Sequence, residues 1–154
     1  MGCFALSLKE WIVIFDYAVL FGLALLSATL LPGGSEIYLL NLSQTPSYSL
    51  FVLWLIATLG NTLGSVINYL LGRYLLHWQN SRWFPIKATS LTRSQQWFQR
   101  YGSASMLLAW TPIIGDALTL LAGVMKMHFG LFVVLVLIGK GFRYAIILGL
   151  VQAL

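Results

Sequence analysis

Four ionisable residues stand where an apolar chain should carry none. Glu36 and Asp116 each follow a proline, Pro32 and Pro112, by four residues. Lys140 and Arg143 lie near the middle of the apolar run from Phe129 to Leu154. Three residues apart, they share one face of a helix. A charge at the centre of a membrane helix costs at least about 2.5–3.5 kcal/mol, so such residues are functional candidates by default. Mid-span cations are also too deep to snorkel to water. The chemistry these residue types offer is anion binding coupled to proton exchange. Arginine presents a bidentate fork to phosphate, and lysine adds a second positive charge. Carboxyls withdrawn from water hold protons more tightly and can carry them. Short helices beginning after Gly34 and Gly115 would add free N–H groups and positive dipole ends. A proton-linked anion carrier follows in outline. The competing reading makes the four charges a buried ion-pair cluster that only locks segments together.

The surrounding chain must place these residues at one depth. Its 154 residues include nine basic and four acidic side chains and are 59% hydrophobic. Mean hydropathy is +0.85. Soluble domains carry roughly 25% charge, so the class is an integral membrane protein, all-α, with no room for a soluble catalytic domain. The net charge of +5 reads as topology and not as nucleic-acid binding, because Lys and Arg collect on the cytoplasmic side. Cys3 is the one cysteine, so no internal disulfide or cysteine metal site is expected. Met1-Gly2-Cys3 lacks the Ser or Thr a myristoylation signal wants at position six, where Leu6 stands. The run after Trp11 meets Pro32-Gly33-Gly34 and not a cleavage site.

Apolar segments run from Trp11 to Leu31, Ile37 to Leu42, Leu50 to Leu76, Ala104 to Trp110, Ala117 to Met125 and Phe129 to Leu154. Two of them break at Pro32-Gly33-Gly34-Ser35-Glu36 and Pro112-Ile113-Ile114-Gly115-Asp116. Each break leads through a short arm to a long span. Gly60 follows Pro32 by 28 residues, and Gly139 follows Pro112 by 27. Arms of fewer than ten residues reach at most about half of a ~30 Å hydrocarbon core. The expected architecture is an inverted repeat of two re-entrant helical hairpins, each followed by a transmembrane helix. Repeat 1 covers about 11–77 and repeat 2 about 103–154. Between them lies a basic loop, 78–102, with a short amphipathic cytoplasmic helix over Ser90–Tyr101. The whole, 1–154, is a single membrane domain. With that loop inside the cell, Lys126 falls inside too, and the cation-free turn Ser43–Ser49 falls outside. A plainer bundle of four or five full crossings is the alternative.

Within the middle span, Gly60, Asn61, Gly64, Ser65, Asn68 and Gly72 form a small, polar stripe. Its glycines suit close helix packing. Asn61 and Asn68 are the candidates to face a cavity. Arg73, one turn from the span's end, is a candidate substrate contact, with snorkelling as the plain alternative. Asp16 is placed near the interface. Two histidines, His77 and His128, lie at membrane edges, and no metal or cofactor is expected. Trp11, Trp78, Trp83 and Trp97 flank apolar segments as interfacial anchors do. An aspartyl-protease reading fails because Ile113 stands where the first Gly of Gly-x-Gly-Asp belongs. The edge histidines do not supply a lipid phosphatase's nucleophile. The expected partners are membrane lipids, with an anionic lipid as substrate and at the basic loop, together with protons. Nucleic acid is not expected, and the glycine stripe suits a homodimer.

These motifs form a recognisable set. Ser27-Ala28-Thr29-Leu30-Leu31-Pro32-Gly33-Gly34-Ser35-Glu36, Gly60-Asn61-Thr62-Leu63-Gly64 and Asn68-Tyr69-Leu70-Leu71-Gly72-Arg73 resemble the DedA family, in its YqaA branch. So do Arg100-Tyr101-Gly102, Trp110-Thr111-Pro112-Ile113-Ile114-Gly115-Asp116, Ala122-Gly123 and Gly139-Lys140-Gly141-Phe142-Arg143-Tyr144. The family shares the VTT, or SNARE-associated, domain. The resemblance implies a multi-pass protein of the bacterial inner membrane, facing re-entrant hairpins, and lipid flipping linked to the proton motive force. It also implies that Glu36 corresponds to the family's acid after the first hairpin proline. The second hairpin departs from the family's arginine-rich pattern, since Trp110 and Asp116 flank Pro112 and the cations are Lys140 and Arg143.

Overall fold

A computed structural model describes residues 8–28, 34–75, 106, 111 and 114–153. Five helices account for nearly all of them: α1 Leu8–Ser27, α2 Gly34–Ser43, α3 Leu50–Leu75, α4 Ile114–Val124 and α5 Phe129–Ala153. No strand occurs among the described residues. The break residues Pro32, Gly33 and Pro112 lie outside the described residues, as do most of 104–110 and the basic loop with its amphipathic helix.

Lengths sort the helices into two kinds. At 1.5 Å per residue, α3 (26 residues) and α5 (25 residues) are about 39 and 38 Å long, and α1 (20 residues) about 30 Å. All three are long and apolar enough to cross a membrane. The ten residues of α2 and eleven of α4 reach about 15 and 17 Å, half of a ~30 Å core.

Side chains are arranged for lipid outside and small groups inside. Phe51, Leu55, Leu59, Leu63, Ile67, Leu70 and Tyr74 recur along the exposed face of α3. On its inner face, glycines admit neighbouring backbones. A Cβ on Gly60 would stand 2.7 Å from the Phe21 carbonyl oxygen, and one on Gly64 2.5 Å from that of Leu25. Residue numbers rise together along that seam, so α1 and α3 run in the same direction. Against α5 the order reverses: Trp54 Nε1 donates to the Gly141 carbonyl at 2.8 Å, while Tyr69 stacks on Phe132 with ring centroids 4.6 Å apart. Thus α3 and α5 run oppositely. Where α3 crosses α4, Gly72 faces Leu120 and Gly123 faces Tyr69, each so closely that an added Cβ would collide with the partner's carbonyl oxygen. Dispersion at such backbone approaches holds membrane helices together in the absence of a hydrophobic drive. Gly123→Ala is therefore expected to destabilise by about 1–3 kcal/mol, the usual cost of overpacking. Gly22→Ala, with nothing within 4 Å of the added carbon, leaves stability unchanged. Circular-dichroism melts in detergent compare the two.

The end of α4 is closed by a Schellman motif, in which Lys126 N–H donates to Gly123 O and Met127 N–H to Ala122 O, both at 3.0 Å. Lys126 occupies its left-handed position, with φ 53°. Glycine is the usual occupant, and a side chain there costs about 1–2 kcal/mol.

Candidate functional site

Buried residues separate into two apolar clusters with a polar belt between them. At one end, Tyr69, Leu118, Ala122, Phe132 and Val136 pack together. At the other, Leu20, Leu39, Leu53, Ala57, Tyr144 and Leu148 do. Between these levels α3 buries Thr58, Asn61, Thr62 and Ser65, and α5 buries Lys140. Polar groups this deep have no bulk water to satisfy them, so each needs a partner.

Two ion pairs cross the belt. Lys140 Nζ donates to Asp116 Oδ1 at 2.7 Å, joining the first turn of α4 to the twelfth residue of α5. The Lys140 side chain is fully buried, while Asp116 keeps 18% of its side chain exposed. Arg143 Nη2 donates to Glu36 Oε1, joining α5 to the first turn of α2. Glu36 is 27% exposed and Arg143 11%. Both carboxylates thus sit at helix N-termini, where the backbone dipole favours negative charge, and both reach the protein's surface.

A hydroxyl network adjoins the second pair. The Ser35 and Tyr144 hydroxyls share a 2.9 Å hydrogen bond, and Asn61 Nδ2 donates to the Tyr144 oxygen at 2.8 Å. Three elements, α2, α3 and α5, therefore meet at one phenol. Beside it, Asn61 Oδ1, Thr58 Oγ1 and Thr62 Oγ1 are buried with no hydrogen-bond partner. Threonines four apart lie on the same helix face as Asn61, so the orphaned atoms form one patch on α3.

Of the other residues singled out by their spacing, Gly34 opens α2, and Gly115 N–H donates to the Thr111 carbonyl at 3.0 Å. Asn68 lies two turns beyond Asn61 and donates to the Ala28 carbonyl at 2.7 Å, closing the end of α1. Arg73 lies at the far end of α3 and donates to the Tyr69 hydroxyl at 3.1 Å.

Two polar groupings escaped the reading of the chain. Tyr144 sits in an apolar run and reads as packing, although a phenol beside Arg143 at mid-helix needs a hydrogen-bond partner. Asp16 is not solvated alone. Tyr38 donates to its Oδ1 at 2.9 Å, and Tyr48 donates to Oδ2. The Tyr48 phenol is pushed up to about 12, chiefly by that hydrogen bond to the carboxylate and then by burial. These bonds set α2 and the following turn beside the middle of α1.

A family profile described as the VTT domain matches residues 27–153, which include all four belt charges. The chain belongs to the VTT-domain, or DedA, family. Among curated proteins it is 42% identical over 125 residues to inner membrane protein YqaA of Escherichia coli K12, covering 81% of this chain and 83% of that one. An uncharacterized protein of Haemophilus influenzae is 33% identical over 132 residues, covering 81% and 80%. Undecaprenyl phosphate transporter A of Staphylococcus aureus is 32% identical over 143 residues, covering 86% and 70%. No solved structure matches. Together with the three helices able to span a bilayer, these relatives place this VTT-domain protein in the bacterial inner membrane.

Proposed function

We propose that this VTT-domain protein is a proton-linked carrier of a phosphate-bearing anionic lipid, with Glu36, Asp116, Lys140 and Arg143 as its site. The observation that carries this reading is the polar belt. Two cations sit at mid-helix depth, each held by a carboxylate that is still partly exposed. Unpartnered Asn61, Thr58 and Thr62 oxygens lie beside them. Protonating Glu36 removes the negative charge that holds Arg143, and the freed guanidinium then meets a phosphate with its fork. Asp116 and Lys140 repeat the exchange one turn away. Deprotonation restores the pairs and expels the anion. The transporter name of the Staphylococcus aureus relative supports a lipid phosphate as cargo.

The proposed architecture supplies access from both sides. Arms α2 and α4 are half the thickness of a bilayer, and α3 and α5 run oppositely, as an inverted repeat of re-entrant hairpins requires. In this arrangement Arg143 pairs across the repeats, with α2, and Lys140 pairs within its own, with α4.

A second reading, a non-transporting membrane scaffold or assembly factor, draws on the same pairs. Both are closed, as in a structural lock. Reconstitution separates the two. The full chain in liposomes, offered labelled phospholipids and a polyprenyl phosphate with and without a pH gradient, is expected to flip the phosphate-bearing lipid and to respond to the gradient. Flipping no faster than in protein-free vesicles for every lipid would favour the scaffold.

A further inference from the structure

A groove of about 650 Å³ opens at the end of α3, well away from the polar belt. Among the described residues it is lined by Tyr69, Leu70, Arg73, Tyr74, Lys126 and Phe129. Arg73 follows Asn61 by twelve residues along α3, a rise of about 18 Å. The volume is that of a small-molecule pocket. Its charge is of one sign: Arg73 and Lys126 contribute two cations, and no acid lines it among the described residues.

The Arg73 guanidinium is held by a side chain, and the Lys126 backbone is fixed by a helix cap. The Tyr69 hydroxyl donates to the Met127 carbonyl at 2.6 Å and accepts from Arg73 at 3.1 Å. The buried phenol at the groove's floor thus steers the guanidinium. Lys126 sits on the left-handed residue of the α4 cap. Glycine satisfies that cap without strain, so a lysine there is unfavourable for the fold itself. Backbone strain of this kind clusters at functional sites. The walls are apolar and outward-facing, with Tyr74 72% and Phe129 47% exposed. The exposed Leu70, Ile67 and Leu63 continue the apolar face along α3 toward mid-span. A phosphate at the mouth and an acyl chain along α3 would fill both parts. In sequence, Arg82, Lys87, Arg93 and Arg100 follow α3, which assigns this end to the cytoplasmic leaflet, where anionic lipids are enriched.

We propose that Arg73 and Lys126 form an interfacial binding site for the phosphate headgroup of a lipid, separate from the mid-membrane charge cluster. The site does not depend on the transport reading.

Its test is retention of dioctanoyl phosphatidic acid by the detergent-purified full chain, counted by native mass spectrometry. Wild-type protein retains the lipid, and an equal concentration of inorganic phosphate does not displace it. Arg73→Gln lowers retention at least tenfold. Lys126→Gly lowers it likewise while holding or raising the melting temperature, because glycine relieves the left-handed strain. That variant excludes misfolding as the cause. Loss of retention in Arg143→Gln but not in Arg73→Gln would place the lipid at the mid-membrane cluster and overturn the proposal. Liposomes without flipping, with retention still lost in Arg73→Gln and Lys126→Gly, would sink the transport reading alone, so the two failures are told apart. Undiminished retention in Lys126→Gly would overturn the proposal. So would displacement by inorganic phosphate, which would assign the groove to a free anion.

Discussion

Glu36→Gln is expected to abolish gradient-driven lipid translocation while leaving the protein folded. On the proposed cycle, the Glu36 carboxylate and the substrate anion compete for Arg143, so that anion binding takes up a proton. Affinity for the anion therefore rises as pH falls through the titration of Glu36. Coupling free energies of about 1–3 kcal/mol are typical, a change of about 5–150-fold in affinity between the two protonation states. Glutamine has nearly the shape of the protonated acid and cannot become anionic. Its carbonyl oxygen can still accept from Arg143, whose side chain is 11% exposed, so the local structure survives. The variant should bind the anion at all pH values with the affinity the wild type shows at low pH. It should also lose the step that expels the anion, so translocation under a pH gradient falls to the protein-free leak. Binding measured from pH 5 to 8, with flipping measured on the same preparation, checks both halves. A wild-type rate of gradient-driven flipping in Glu36→Gln would remove Glu36 from the transport cycle.

The helices themselves are legible because each has a local cause. Long apolar runs without interruption gave spans at Leu50–Leu75 and Phe129–Ala153, within one residue of where hydropathy places them. The end of α1 was less legible. It stops at Ser27, several residues before Pro32, because Asn68 of α3 caps the Ala28 carbonyl from a distance in sequence. No local signal marks a cap supplied by another helix.

The site shows the same division. Depth alone argues that Glu36, Asp116, Lys140 and Arg143 belong together, since a lone charge in a span is too costly. Which acid meets which cation depends on tertiary packing. Lys140 and Arg143 share one face, so spacing permits either pairing. The choice follows from placement, with the first turn of α4 within reach of Lys140 and that of α2 within reach of Arg143. Tyrosines were the least legible residues. Tyr38, Tyr48 and Tyr144 look apolar in a pattern of hydrophobic and polar positions. Their hydroxyls nevertheless satisfy Asp16, Ser35 and Asn61, and that capacity has no signature in periodicity.

Breaking the other ion pair from one side is expected to cost far more stability than removing it whole. Lys140 has no exposed surface, and its ammonium is bonded to Asp116. Asp116→Ala leaves that charge buried and unpaired, a loss of about 3–5 kcal/mol. Asp116→Ala with Lys140→Met removes both charges and keeps an unbranched apolar chain in the lysine's place. Such replacements of a buried pair are often neutral or stabilising, so the double variant should melt near the wild-type temperature. The single variant should melt far below it. This non-additivity, read from melts of the wild type, both single variants and the double, gives the coupling between the two side chains. The same four proteins then separate carrier from scaffold. If the pair only locks α4 to α5, the double variant recovers stability and whatever flipping the wild type supports. If Lys140 meets the substrate phosphate, the double variant is stable and does not flip lipid, because methionine offers the anion neither charge nor hydrogen bond. A folded, wild-type-stable protein with no translocation is the expected result. Full translocation by the double variant would make this pair a structural lock and leave Glu36 and Arg143 to carry the exchange alone.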